Sequence, residues 1–208
     1  MCRSSLGLIH GCGLKIQIAN ALTVLRILLI PLVVISFYLP YPWGKTGACV
    51  LFVAAAVTDS LDGYLARRLN QISALGAFLD PVADKLMVAI ALILLVSDEP
   101  AMLRPFAFNP HMLIAVTASV IVGREIAISA LREWMAEIGA RAKIAVSSLG
   151  KLKTIFQMTG LSMMLYRDDL WGAPIFELGL ACLMAAAVLT LWSMTVYIKA
   201  AWPDLMRS

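Results

Sequence analysis

Four aspartates fall within VTDSLDGYLARRLNQISALGAFLDPVADKLM, residues 57–87: Asp59, Asp62, Asp80 and Asp84. They form two pairs, three and four residues apart, and those spacings place side chains on one face of a helix. Gly63 and Ala66 share the face of Asp59 and Asp62, and Gly76 lies one turn before Asp80. The short connection RRLNQISAL lets two such helices run antiparallel, so that the pairs meet. Four carboxylates converging without metal repel one another, and some must take up protons. Divalent cations remove that conflict. Mg²⁺ prefers hard oxygen ligands and keeps water or substrate phosphate in its shell. A pair of such ions can hold a phosphoryl group and stabilise both the entering and the leaving oxygen. The pattern therefore points to metal-assisted phosphoryl chemistry. The competing reading is a set of interfacial charges paired with Arg67, Arg68 and Lys85.

The elements that carry these residues are apolar. Of 208 residues, 61% are hydrophobic and 14% charged, with a mean hydropathy of +0.87. An average soluble domain is about a quarter charged. The composition thus argues for an integral membrane protein. Apolar segments occur at 20–39, 46–66, 77–97, 111–131, 154–166 and 175–198, and a helix needs roughly 20 residues to cross the hydrocarbon. The fifth reaches that length only if it begins near Leu149, which brings Lys151 and Lys153 to its start. The expected fold is all-α, a bundle of six transmembrane helices over residues 20–200. Residues 1–19 form an interfacial or disordered lead and 201–208 a short tail. Proline and glycine mark the breaks in YPWGK, DEPAMLRPFAFNP and RDDLWGAP.

Basic residues orient this bundle. Lys45, Arg104 and Arg167 fall on one side, Arg26, Lys85 and Arg124 within spans, and the other eleven of the seventeen on the side of the termini. That side is expected to be cytoplasmic, with the aspartates near it. Trp43, Trp171 and Trp202 sit near span ends, where amphipathic rings favour the interface. A pI near 9.0 then reflects topology and anionic lipids or substrates, and requires no nucleic acid. The start, MCRSSLGLIHGCG, is too weakly apolar for a secretory leader. Cys2, Cys12, Cys49 and Cys182 form no C-x-x-C pair and are read as incidental thiols.

The aspartate stretch also resembles a known signature. D59-x-x-D62-G63-x-x-A66-R67, eight residues, then G76-x-x-x-D80-x-x-x-D84 is similar at every defined position to that of the CDP-alcohol phosphatidyltransferases. N20-A-L-T23-V-L-R26 and Pro31 resemble the first helix of that family, with Ala19 where members often carry proline. GREIAISALREWMAEIGARAKIAVSSLGKLKTIFQMTGL resembles the bacterial branch that makes phosphatidylglycerophosphate. The likeness runs from about residue 16 to 198.

The resemblance implies transfer of a phosphatidyl group from CDP-diacylglycerol to sn-glycerol 3-phosphate, with release of CMP, at the bacterial inner membrane. It implies a homodimer and two Mg²⁺ (or Mn²⁺) ions. Asp59, Asp62 and Asp80 are implied to bind metal. Asp84 is implied to lie at the second ion and to act on the acceptor hydroxyl. Gly63, Ala66 and Gly76 are implied to admit the cytidine and its phosphates, with Asn20, Thr23 and Arg67 completing the nucleotide site. Small residues also allow close helix packing in membranes, and both uses stand together.

An acceptor that carries phosphate needs cations. Arg124 and Arg132 are eight apart on the fourth span, about two turns, hence near one face. Lys151 and Lys153 open the fifth from the same side. These four are the candidates for the acceptor phosphate. Glu125 and Glu133 follow the arginines and are alternative salt partners, and the lysines also serve as topology signals. Arg141 and Lys143 are read as topology alone. Two other classes compete. A membrane prenyltransferase also holds aspartates for a diphosphate, but without D-G-x-x-A-R between them. A transporter would place its carboxylates near the bilayer midplane on broken helices. Within the family, serine and inositol phosphate are alternative acceptors.

Overall fold

The structure is a computed structural model, and it describes residues 9–69, 74–98, 109–138, 148–170 and 172–205. Among these residues are six helices in the expected order: α1 (Ile9–Tyr38), α2 (Gly44–Leu69), α3 (Ala74–Ser97), α4 (Pro110–Glu137), α5 (Ser148–Tyr166) and α6 (Ile175–Leu205). No strand occurs among the described residues, only an isolated bridge between Leu170 and Ala173. The shortest helix, α5, has 19 residues, about 28 Å at 1.5 Å per residue. Its start at Ser148 is the longer of the two readings of the fifth segment. By length and composition, α4 over His111–Glu137 and α6 over Ile175–Lys199 suffice to cross a membrane, and the described part of α1 adds a shorter apolar run, Val24–Tyr38. Arg104, Arg141, Lys143, Trp171 and the ends of the chain lie outside the described residues.

The chain divides into two compact units, Met1–Ile90 and Ala91–Ser208. In the first, α1 packs on α2. On α1 the buried residues Arg26, Ile30, Val33 and Phe37 recur every three or four positions, while Val24, Leu25, Leu28, Leu32 and Ile35 are exposed. One face of the helix is therefore inward and the other an apolar outward stripe. On α2 the inward face is Ala48, Phe52 and Ala55, and Asp59 follows at the same spacing. The hairpin between the helices is tight. Ser36 Oγ donates to the carbonyl of Gly44 at 2.9 Å. A Cβ on Gly44 would meet the Ser36 and Leu39 carbonyls at 2.8 Å, so no side chain fits there. Tyr41 and Trp43 stack at 5.4 Å on the outside of the turn.

In the second unit α6 packs against both α5 and α4. Asn109 caps α4, its side chain accepting from the His111 amide at 3.1 Å with Pro110 in the first turn. The buried face of α4 runs Ile114, Ala118, Ile121, Arg124, Ile128 and Met135. That of α6 runs Phe176, Leu180, Leu183, Ala187, Thr190, Ser193 and Tyr197. The face of α4 is apolar apart from Thr117 and Arg124, and that of α6 changes from apolar to polar at Thr190 and Ser193. The α5–α6 contact is made backbone to backbone: a Cβ on Gly160 would sit 2.8 Å from the Gly179 carbonyl, and one on Gly179 would sit 3.0 Å from that of Gly160. Small residues of this kind let membrane helices approach closely. At the end of α5 Arg167 adopts the left-handed conformation, φ 68°, and its side chain forms an ion pair with Asp98.

Candidate active site

Each unit carries a cluster of charge on its inward faces. In the first, the phase of α1 that buries Ile30 and Val33 also buries Arg26 completely, at 0% exposure. Its Nη1 lies 2.8 Å from Asp59 Oδ1 on α2 and 3.1 Å from Asp84 Oδ1 on α3. The two carboxylate oxygens are therefore no farther apart than those two contacts end to end. Both aspartates are part-exposed, 38% and 46% at the side chain. Carboxylates from two helices thus converge on one buried guanidinium while keeping an open side, and the first and last aspartates of the motif come together.

The helices that carry Asn20, Thr23, Asp62, Gly63, Ala66, Arg67, Gly76 and Asp80 are described, but their side chains lie outside the description. The described pair is a hard-oxygen donor set, the type that Mg²⁺ and Mn²⁺ take, so it fits the implied ions in chemistry.

In the second unit, Arg124 on α4 is buried. Its Nη1 donates to Glu125 Oε1 at 3.2 Å, and its Nη2 to Ser193 Oγ on α6 at 3.0 Å. Lys153, buried on α5, forms an ion pair with the same Oε1. The ring of Tyr197 takes two cations: Arg124 Cζ is 6.0 Å and Arg132 Cζ 5.6 Å from its centroid. Arg124 Nε is buried and has no hydrogen-bond partner among the described residues. Three of the four expected phosphate-binding cations therefore gather around Glu125 and Tyr197. The side chain of the fourth, Lys151, lies outside the description. Glu125 is the salt partner the sequence offered as an alternative, so the cluster holds its own anion.

Three participants were not assigned a role from sequence. Arg26 stands in an apolar span, and a charge there is a functional signal in its own right. Ser193 and Tyr197 lie in LWSMTVYIK, where nothing local marks them as partners of an arginine.

Among the described residues the fold is helical and brings the first and last aspartates of a D-x-x-D…D-x-x-x-D pattern together, and residues 16–195 match the family model of the CDP-alcohol phosphatidyltransferases. The chain belongs to that family. Among its relatives are proteins of Escherichia coli (strain K12) and Shigella flexneri serotype 5b (strain 8401), each named CDP-diacylglycerol–glycerol-3-phosphate 3-phosphatidyltransferase. Each is 46% identical over 193 residues, covering 93% of this chain and 99% of the relative.

Proposed function

We infer that the protein transfers the phosphatidyl group of CDP-diacylglycerol to sn-glycerol 3-phosphate, giving phosphatidylglycerophosphate and CMP. The observation that carries this is the 46% identity over 99% of relatives that bear this activity in their names. In the reaction a bond forms from the acceptor hydroxyl oxygen to the phosphatidyl phosphorus. The bond from that phosphorus to the oxygen of CMP breaks, and the hydroxyl proton leaves.

Asp59, Asp62, Asp80 and Asp84 are the carboxylates that would hold two Mg²⁺ or Mn²⁺ ions. Such ions, when bound, offset the charge of the diphosphate and of departing CMP. Asp84, on the edge of the set, orients the acceptor hydroxyl and receives its proton. Gly63, Ala66 and Gly76 leave room for the nucleotide, which Asn20, Thr23 and Arg67 contact. Arg124, Arg132, Lys151 and Lys153 bind the phosphate of the acceptor, and arginine does so with two parallel hydrogen bonds.

Six membrane spans, both termini in the cytoplasm of a bacterial cell and a homodimeric state complete the proposal. The outward stripes of α1 (Leu28, Leu32, Ile35) and α6 (Val188, Leu191, Trp192, Val196) support residence in the bilayer, since surfaces this apolar do not face water in a monomeric soluble protein.

The test is a panel of acceptors with detergent-purified protein and CDP-diacylglycerol. CMP release that depends on glycerol 3-phosphate, with a phosphatidylglycerophosphate product, is expected. Release with serine or inositol phosphate in its place would reassign the acceptor, and no release with any would refute the chemistry.

A further inference from the structure

We propose that Arg26 is a positioning residue of the aspartate site: its buried guanidinium clamps Asp59 and Asp84 from behind and so sets the geometry that receives the metal. The proposal rests on the metal-binding reading of these aspartates and adds a residue outside the carboxylate set. Three observations carry it. The first is direction. Arg26 lies on the inward stripe of α1 with Ile30, Val33 and Phe37, so helix phase alone points it into the unit. The second is the shared atom. One nitrogen, Nη1, reaches Oδ1 of Asp59 at 2.8 Å and Oδ1 of Asp84 at 3.1 Å. It fixes residues on two different helices relative to each other. The third is the contrast in exposure. The cation is 0% exposed, while its carboxylates are 38% and 46% exposed. Part-exposed carboxylates do not require a buried partner, because water serves them on their open side. A buried guanidinium does require them, and its burial is costly unless its pairing is good.

The arrangement therefore places the cation inside and leaves the outer side of the pair to ligands. Carboxylates that bind metal are commonly held by a further hydrogen bond that fixes their orientation, and loss of such a bond costs about 10–100-fold in metal affinity or activity. The opposite electrostatic effect also exists, since a guanidinium so close repels an arriving cation. If Arg26 were only such a competitor, its removal would tighten metal binding. The clamp predicts weakening.

The experiment compares wild type, Arg26→Lys and Arg26→Met, purified in detergent and stripped of metal. Mn²⁺ binding is followed by the loss of its free paramagnetic resonance signal, with thermal unfolding measured with and without Mn²⁺. Lysine keeps the charge but lacks the planar fork and is shorter. Arg26→Lys should bind Mn²⁺ about 10–100-fold more weakly than wild type, with unchanged stoichiometry. Its Mg²⁺ requirement for turnover should rise in proportion, and its rate should recover at high Mg²⁺. Arg26→Met, where folded, should lose more affinity and be stabilised less than wild type by a given Mn²⁺ concentration.

A folded Arg26→Lys with unchanged or tighter Mn²⁺ binding overturns the proposal and leaves the metal reading intact. A smaller active fraction with an unchanged Mg²⁺ requirement also overturns it, since that is the signature of a structural role. Failure of the wild type itself to bind Mn²⁺ overturns the metal reading and the clamp with it. If Arg26→Met does not fold, the lysine variant decides.

Discussion

Arg124 Nη2 donates to Ser193 Oγ at 3.0 Å, tying the buried face of α4 to that of α6. The same guanidinium donates to Glu125 and lies over Tyr197. The chain thus holds one arginine of its cationic cluster from three sides, by a hydroxyl, a carboxylate and a ring. Ordering a long side chain in advance lowers the entropy that a ligand's arrival would otherwise cost.

Ser193→Ala removes the hydroxyl and leaves a buried Nη2 without that partner. A hydrogen bond to a charged group contributes about 1.5–3 kcal/mol net, so the KM for glycerol 3-phosphate should rise roughly tenfold or more. The KM for CDP-diacylglycerol should stay near wild type. Initial rates with each substrate varied in turn check this, and equal changes in both would detach Ser193 from the acceptor.

Much of the scaffold was legible in the sequence, and the reason is physical. A run of about 20 apolar residues bounded by proline and glycine has few alternatives to a helix in this composition. Apart from the start of α1, the segments appear at nearly their expected places, and α5 takes the longer of its two readings. Lys153 is buried at its start because Glu125, 28 residues away, supplies the counter-charge. A one-dimensional pattern does not carry that pairing. The start of α1 was less legible: IHGCGLK is not apolar enough to extend the span, yet the helix begins at Ile9.

At the site, the spacing of aspartates and the phase of Arg124 and Arg132 were readable, since both are properties of a single helix. Asp84 as a partner of Arg26 and Ser193 as a partner of Arg124 were not. They are 58 and 69 residues distant in sequence, and only packing selects them.

The glycines of the α5–α6 contact offer a test of packing apart from chemistry. In Gly160→Ala the new methyl would lie 2.8 Å from the Gly179 carbonyl and 3.0 Å from the Leu183 amide, both backbone atoms. The helices must separate, a strain of about 1–3 kcal/mol for overpacking. Gly123→Ala meets nothing within 4 Å, and alanine is the better helix former by about 1 kcal/mol. Thermal unfolding in detergent should therefore show a lower midpoint for the first and an equal or higher one for the second. A Gly160→Ala midpoint at or above wild type would show that the contact is looser than described.

Metal removal addresses the aspartates. Chelation by EDTA should abolish CMP release, and Mg²⁺ or Mn²⁺ should restore it. Asp59→Asn keeps an oxygen on Arg26 but removes a charge from a site that must offset a diphosphate. Its turnover should fall at least 100-fold, about 2.7 kcal/mol of barrier, and excess Mg²⁺ should not recover it. Near-normal turnover of Asp59→Asn at ordinary Mg²⁺ would remove Asp59 from the metal set.

Tyr197 presents one ring to two arginines, with Arg124 Cζ at 6.0 Å and Arg132 Cζ at 5.6 Å from the centroid. Both distances are within the range where a cation is drawn to an aromatic face, an attraction of about 0.5–1 kcal/mol when exposed and about 2 or more when desolvated. Arg132 is exposed and Arg124 buried, so the ring links an accessible cation to a fixed one. Tyr197→Phe keeps the ring face and should leave the KM for glycerol 3-phosphate within about twofold, a change of only about 0.4 kcal/mol. Tyr197→Leu removes the face while keeping apolar bulk, and should raise that KM by about 5- to 30-fold, or roughly 1–2 kcal/mol. Arg124→Lys should fall between wild type and Arg124→Ala, because charge is kept but the planar fork is lost. In all of these the KM for CDP-diacylglycerol should hold. If the phenylalanine and leucine variants are impaired alike, the hydroxyl rather than the ring is what matters. If neither moves the acceptor KM, Tyr197 serves α4–α6 packing and the two arginines reach the phosphate without it.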